Sequence, residues 1–245
     1  MIPREWLEPA WPAPANVRAF VTTRGGGVSE GAHASLNLGA SSGDDPGRVK
    51  RNRDIVRAHL PADPRWMRQV HGTAVARLDE LAAAEVPEAD AAVAAREGVV
   101  ATVLTADCMP LFLCDRGGTR VGVVHAGWRG MASGVIESAV RALGGDPGDV
   151  LAWMGPAIGP DAFEVGEEVR EAFVAADPGA GAAFRPGRPG KLMADLYALA
   201  RRRLERSGVR EIHGGGLCTF TDAGRFFSYR REKASGRMGA FIWKR

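Results

Sequence analysis

Two spacings of apolar positions alternate along the chain. Val17 to Thr23, Val99 to Thr105, Leu111 to Asp115, Arg120 to His125, Val150 to Met154 and Met238 to Trp243 are short apolar or alternating runs bounded by Gly, Pro or Asp. Such runs predict strands, the nearly continuous 99–105 run a buried one. Trp66 to Val70 and Thr73 to Leu78 predict two further strands broken at His71-Gly72. Between them the period lengthens. Asp45-Pro46 opens a helix by N-cap and first-turn proline, Val49, Ile55, Val56 and Leu60 form its stripe, and Pro61 stops it. Helices are also predicted over Trp128 to Leu143, Gly166 to Ala176, and Lys191 to Ser207, the last with Leu192, Leu196, Leu199, Ala200 and Leu204 on one face. Asp177 to Gly190, rich in Gly, Ala and Pro, reads as an exposed loop. Interleaved helices and strands make an α/β chain, and without linker or repeat residues 1–245 are expected to form a single domain.

Register follows from one turn. If Gly117-Gly118 closes a two-residue hairpin between the Leu111 and Arg120 strands, Cys108 stands opposite Gly127 and His125 opposite Pro110. Cys108 and His125 then become diagonal neighbours on one face, ~7–8 Å apart, a separation from which thiolate and imidazole converge on one metal ion. Cys114, six residues further along, lies about 20 Å away at ~3.3 Å per residue and reads as a small core residue.

Composition bounds the rest. The 245 residues are 45% hydrophobic and 25% charged, enough for a sizeable core. The net charge of +3 comes without a basic run, so no nucleic-acid partner is expected. No window reaches 18 uninterrupted apolar residues, so no membrane span is expected. Residues 1–11 carry charges and prolines instead of an apolar core, and three cysteines cannot all pair; reduced thiols and a cytoplasmic location are expected.

Candidate chemistry gathers on few residues. Cys108 ends a buried strand, where a ligand and a structural cysteine fit equally. His125 sits in Val124-His125-Ala126-Gly127-Trp128-Arg129-Gly130, at a strand-to-helix junction whose small residues leave room. His71 interrupts an apolar strand pair and gains meaning only beside the other two. A Cys-His-His set with a fourth position open is the catalytic kind of zinc site. Such a metal lowers the pKa of water toward ~7 or polarises a substrate oxygen. Gln69 and Asp107, adjacent to two ligands, are candidates to orient an imidazole, or else cap local backbone. Ser35, Asn37, Arg53 and Arg129 are polar candidates to contact a small anionic ligand, or else solvated side chains and, for Asn37, a turn former.

The motifs also carry a family resemblance over nearly the whole chain: Ser35-Leu36-Asn37-Leu38-Gly39, Asn52-Arg53, Gln69-Val70-His71-Gly72, Thr105-Ala106-Asp107-Cys108, His125 to Gly130, Gly155-Pro156-Ala157-Ile158-Gly159, Phe163-Glu164-Val165-Gly166, Leu217-Cys218-Thr219, and Phe226 to Arg231 with Gly236-Arg237. In this order they resemble the YfiH family, also called the laccase-domain or polyphenol oxidoreductase family and, for some members, peptidoglycan editing factor. Many members carry cysteine and tyrosine where this chain has Asp161, Ala162 and Phe163. The resemblance implies a fold of sandwiched mixed sheets flanked by helices (α/β or α+β), similar to the cysteine-hydrolase domain of bacterial toxins. It implies catalytic zinc on His71, Cys108 and His125. It also implies phosphorolysis of adenosine, guanosine, inosine and methylthioadenosine, with deamination of adenosine, so that purine nucleosides and phosphate are the expected small-molecule partners. Three alternatives stand beside it: a copper-dependent polyphenol oxidase, a thiol hydrolase with Cys108 as nucleophile and His125 as base, and a peptidoglycan-precursor editing factor. A classical multicopper cluster needs His-x-His pairs, which His33, His59, His71, His125 and His213 do not form, although Cu²⁺ suits a Cys-His-His set as well as Zn²⁺ does.

Overall fold

A computed structural model describes residues 2–245. In chain order the elements are β1 (Val17–Val21), α1 (Pro46–Arg57), β2 (Pro64–Arg65), β3 (Val75–Arg77), β4 (Ala91–Ala94), β5 (Val100–Thr105), β6 (Met109–Asp115), β7 (Val121–Ala126), α2 (Trp128–Ser133), α3 (Val135–Leu143), β8 (Val150–Met154), β9 (Glu164–Val165), α4 (Glu167–Val174), β10 (Phe184–Pro186), β11 (Leu192–Ala194), α5 (Leu196–Arg206), β12 (Glu211–Gly214) and β13 (Met238–Lys244). They form a four-stranded sheet β1-β13-β5-β2, a six-stranded sheet β12-β8-β6-β7-β4-β3 and a small sheet β10-β11-β9. Both larger sheets are mixed: β12 runs parallel to β8 and β2 to β5, while most other pairs are antiparallel.

The period of two sorts side chains into three cores. On β6, Phe112 and Cys114 meet Val21, Val103, Ala240 and Ile242 of the facing sheet, whereas Leu111 and Leu113 turn to the helices. The helix side is filled from α3 by Val135, Ile136, Ala139, Val140 and Leu143 and from α5 by Leu196, Leu199, Ala200 and Leu204. On the outer face of the four-stranded sheet Phe20, Phe241 and Trp243 pack with Trp6 and with Val56 of α1. The result is the expected sandwich of mixed sheets with helices on both outer faces.

Local expectations change in five places. The expected Trp66–Val70 strand does not form: a two-residue strand, Pro64–Arg65, precedes it, and the segment itself keeps one bridge from Arg68 to Glu88 while Gln69 spends its side-chain amide on both backbone groups of Leu104. The 128–143 helix breaks at Gly134, whose φ of +100° only glycine adopts readily, so that α3 takes a new direction onto the sheet. The 191–207 helix begins at Leu196, where Asp195 caps the Ala198 N–H, and its first residues form β11 instead. The Gly-rich 177–190 stretch contains a 3₁₀ turn over Pro178–Ala183 and β10. The hairpin turn spans four residues, 116–119: Asp115 and Arg120 close it, and the Asp115 carboxylate accepts from Thr119 and Arg120 N–H groups and from the Thr119 hydroxyl. Pro110 nonetheless stands opposite His125, as the spacing predicts.

Candidate metal centre

His71, Cys108 and His125 meet at one end of the sheet sandwich, with their ligand atoms all within 4.8 Å of one another. Alternation on β7 sends Val121, Val123 and His125 toward the facing sheet, and Cys108, one residue before β6, has the same parity as Phe112 and Cys114, which also face it. The hairpin therefore supplies two donors by register alone. His71 comes from a turn whose backbone is left-handed, φ +60°. A β-carbon on Gly127 would lie 2.8 Å from the His71 ring and 2.9 Å from the Cys108 sulfur, so glycine there keeps the space between them clear.

The group that assembles the third donor is Asp90, fully buried just before β4. One carboxylate oxygen accepts from His125 Nδ1 at 2.8 Å and from the His71 N–H at 2.9 Å; the other accepts from the Val70 and Gly72 N–H groups at 3.1 and 2.7 Å. This nest of backbone N–H groups fixes the left-handed turn, while the bond to Nδ1 aims His125 Nε2 into the site. Burial works against the Asp90 charge, but His125 and the N–H groups more than offset it and hold the carboxyl below its ordinary range.

Burial likewise opposes ionisation of Cys108, yet the positive field of His125 and hydrogen bonds from both imidazoles bring its thiol down to about 6. Against its own burial, His125 rises to about 9 beside the Cys108 thiolate and Asp90. Cys108 Sγ and His71 Nε2 stand 3.7 Å apart. Soft sulfur with two imidazoles in a carboxylate-supported cluster is a donor set that fits zinc or copper. Cys114, by contrast, is buried between the sheets, and burial with the neighbouring Asp115 pushes its thiol up to about 12. His33 bonds the Ser42 carbonyl, His59 packs on Trp6 and His213 lies beside Glu211, so none of these histidines joins the cluster.

The other sequence candidates fall in different places. Asp107, with φ +84°, is pinned through Oδ1 by the Thr219 hydroxyl and through Oδ2 by the Arg230 N–H, and so anchors the corner that presents Cys108. Gln69 ties its segment to β5 rather than touching an imidazole. Asn37 is buried, with its amide on Ser42 and Asp44 and its carbonyl oxygen on the Gly39 and Arg237 N–H groups. Ser35 accepts from the Gly27 N–H and donates to the Arg24 carbonyl. Arg53 bonds the Leu38 carbonyl, lies 3.9 Å over the Trp66 ring, and lines a cavity of about 300 Å³ that contains none of the three ligands. Arg129, directly after the His125 corner, stacks 4.4 Å over Trp128.

Sequence reasoning missed Asp90, whose one signal is an acid leading an apolar stretch, and two groups near Asp107. Tyr229 is 48% exposed, next to the Arg230 N–H that holds Asp107. Arg237 immediately precedes β13, and its guanidinium carbon lies 5.8 Å from the Tyr229 ring centre.

A family model described as multi-copper polyphenol oxidoreductase laccase matches residues 18–245. The purine nucleoside phosphorylase PA4543 of Pseudomonas aeruginosa is 54% identical over 97% of this chain and 98% of its own. The purine nucleoside phosphorylase YfiH of Escherichia coli is 50% identical over the same shares. Among solved structures, protein NMB0706 of Neisseria meningitidis superposes with a TM-score of 0.94 at 48% identity, covering 98% of this chain and 99% of its own. YlmD of Geobacillus stearothermophilus superposes with 0.91 at 31% identity, covering 100% and 98%.

Proposed function

The chain belongs to the multi-copper polyphenol oxidoreductase laccase family, and within it we propose that residues 1–245 act as one catalytic domain, a zinc-dependent purine nucleoside phosphorylase that also deaminates adenosine. The observation that carries the reading is the convergence of His71, Cys108 and His125 within 4.8 Å around space that Gly127 leaves open. The activity named for the relatives in Pseudomonas aeruginosa and Escherichia coli supplies the substrate class, purine nucleosides with phosphate; adenosine, inosine, guanosine and methylthioadenosine are the members of that class the family resemblance implies. Zinc bound there supplies a Lewis acid for a substrate oxygen or for water. Asp90 keeps His125 in one tautomer and orientation, and Asp107 keeps the Cys108 corner rigid. Among the substrate-binding candidates Arg129, in the first turn after the His125 corner, lies nearest along the chain to a member of the cluster, and Ser35 and Asn37 hold the polar loop that packs on Arg237.

One observation favours a second reading. Asp90, His125 and Cys108 are also ordered as a thiol-hydrolase triad, with the thiol already lowered to about 6. Elemental analysis of wild type and Cys108→Ala, with adenosine turnover followed with and without phosphate, separates the two. About one zinc per chain, lost in the variant together with phosphate-dependent release of adenine, is the expected result. A metal-free wild type that is fully active overturns the zinc reading and favours the triad.

A further inference from the structure

Arg237 stands one residue before β13, whose first residue Met238 pairs with Thr105 of β5. Continuing that antiparallel register sets Arg237 across from Ala106, next to Asp107 and Cys108. Its guanidinium is half-buried, and among the described residues no carboxylate lies within ion-pair distance of it. Nη1 alone is used, on the Ser235 and Gly236 carbonyls at 2.6 and 3.0 Å; Nε and Nη2 make no hydrogen bond among the described residues. Burial lowers its pKa, and the groups that push back are Cys108, Tyr229 and Asp107. Asp107 does not serve as its counter-ion, because both of its oxygens are already taken by Thr219 and Arg230.

A partly buried, unpaired cation is costly unless an anion completes it. The other arginines nearby are already engaged. Arg230 bonds the Glu164 carbonyl, Arg231 bonds three carbonyls and Glu232, and Arg53 bonds Leu38. The Arg237 side chain is also held in place before any ligand arrives. Its N–H donates to Asn37 Oδ1, and its stem packs so closely on Gly39 that a β-carbon there would lie 2.7 Å from Cγ.

We propose that Arg237 is the phosphate-binding residue of the reaction, presenting the free Nε and Nη2 edge to inorganic phosphate beside the Cys108 end of the metal centre. This rests on the phosphorylase reading above. In that reaction an oxygen of hydrogen phosphate forms a bond to C1′ of the ribose. The C1′–N9 bond breaks with its electron pair passing to the purine, and the proton given up by phosphate ends on a purine nitrogen. Arg237 fixes the nucleophile; two parallel N–H···O bonds set its orientation as well as its charge.

Two measurements on the full metal-loaded chain test this. In steady-state phosphorolysis of adenosine, Arg237→Met is expected to raise KM for phosphate about 10- to 100-fold while KM for adenosine stays within about twofold and zinc content is unchanged. Arg237→Lys, which keeps the charge and loses the fork, is expected to fall between, and it carries the test if the methionine variant does not fold. An unchanged KM for phosphate, or an equal rise for both substrates, overturns the assignment. Calorimetric binding of inorganic phosphate to wild type and variant is independent of turnover. Arg237-dependent binding in a chain that cleaves no nucleoside leaves the anion site standing and removes the phosphorylase. Phosphate-dependent cleavage that Arg237→Met leaves untouched does the reverse.

Discussion

Replacing Asp90 by Asn removes a charge but almost no volume, so it isolates what the carboxylate does. Each oxygen now accepts two hydrogen bonds. In the amide one of them becomes an NH₂ donor facing two donors. If it faces Val70 and Gly72, the turn that holds His71 is broken; if it faces His125 and the His71 N–H, Nδ1 must give up its proton and the His71 N–H loses its acceptor. Either way two hydrogen bonds to a buried charged acceptor are lost, each worth about 1.5–3 kcal/mol. A net cost of about 3 kcal/mol lowers Tm by roughly 6–12 °C for a chain of this size. Metal affinity is expected to fall about 10- to 100-fold, the usual effect of removing the partner of a ligating histidine. Thermal melts of the metal-free protein and zinc titration against a competing chelator measure the two effects separately. A variant that melts as expected but binds zinc like wild type would refute the view that Asp90 assembles the site.

Gly127→Ala places a methyl group 2.8–2.9 Å from His71 and Cys108. The overpacking cost of about 1–3 kcal/mol should appear as lost zinc stoichiometry with little change in secondary structure by circular dichroism, and full zinc binding would contradict the cradle. Far from the site, Asp177 is held at about 2, below its ordinary 3.8, first by its hydrogen bonds from Arg202 and then by the charges of Arg202 and Arg206. A carboxyl depressed on folding stabilises above its unfolded pKa and loses that contribution as pH falls through the folded one. Urea denaturation of wild type and Asp177→Asn should therefore show a stability gap that is full at neutral pH and closes between about pH 4 and pH 2; a gap independent of pH would show that the Asp177 charge is not what stabilises the fold.

The hairpin half of the metal centre was legible because it is local. Strand alternation and cross-strand pairing determine where Cys108 and His125 fall. The error in the turn, four residues instead of two, left the register intact because the pairs across it stayed the same. Much of β4 was not legible. Three of its four residues, Ala91, Ala92 and Ala94, carry little strand preference of their own, and burial of one face by the facing sheet and of the other by the helices makes them a strand. Asp90 therefore had no recognised element to stand on. The break at Gly134 was hidden for a similar reason, since an apolar stripe that resumes after one glycine has the same period as an unbroken helix.

His71 differs from the other two candidate ligands in what holds it. Cys108 and His125 lie at the ends of strands joined by a full ladder, and Cys108 is steadied further by the bonds of Asp107 to Thr219 and Arg230. The His71 turn, left-handed and half in solvent, rests on three N–H bonds to a carboxylate that also serves His125. A left-handed non-glycine residue persists only where its surroundings over-determine it, and here those surroundings are Asp90. Perturbing the centre should therefore release His71 first, leaving a thiolate–imidazole pair on the hairpin. The Asp90–His125–Cys108 row does not depend on that turn, because the Asp90 bond to His125 Nδ1 and the β6–β7 ladder hold it independently.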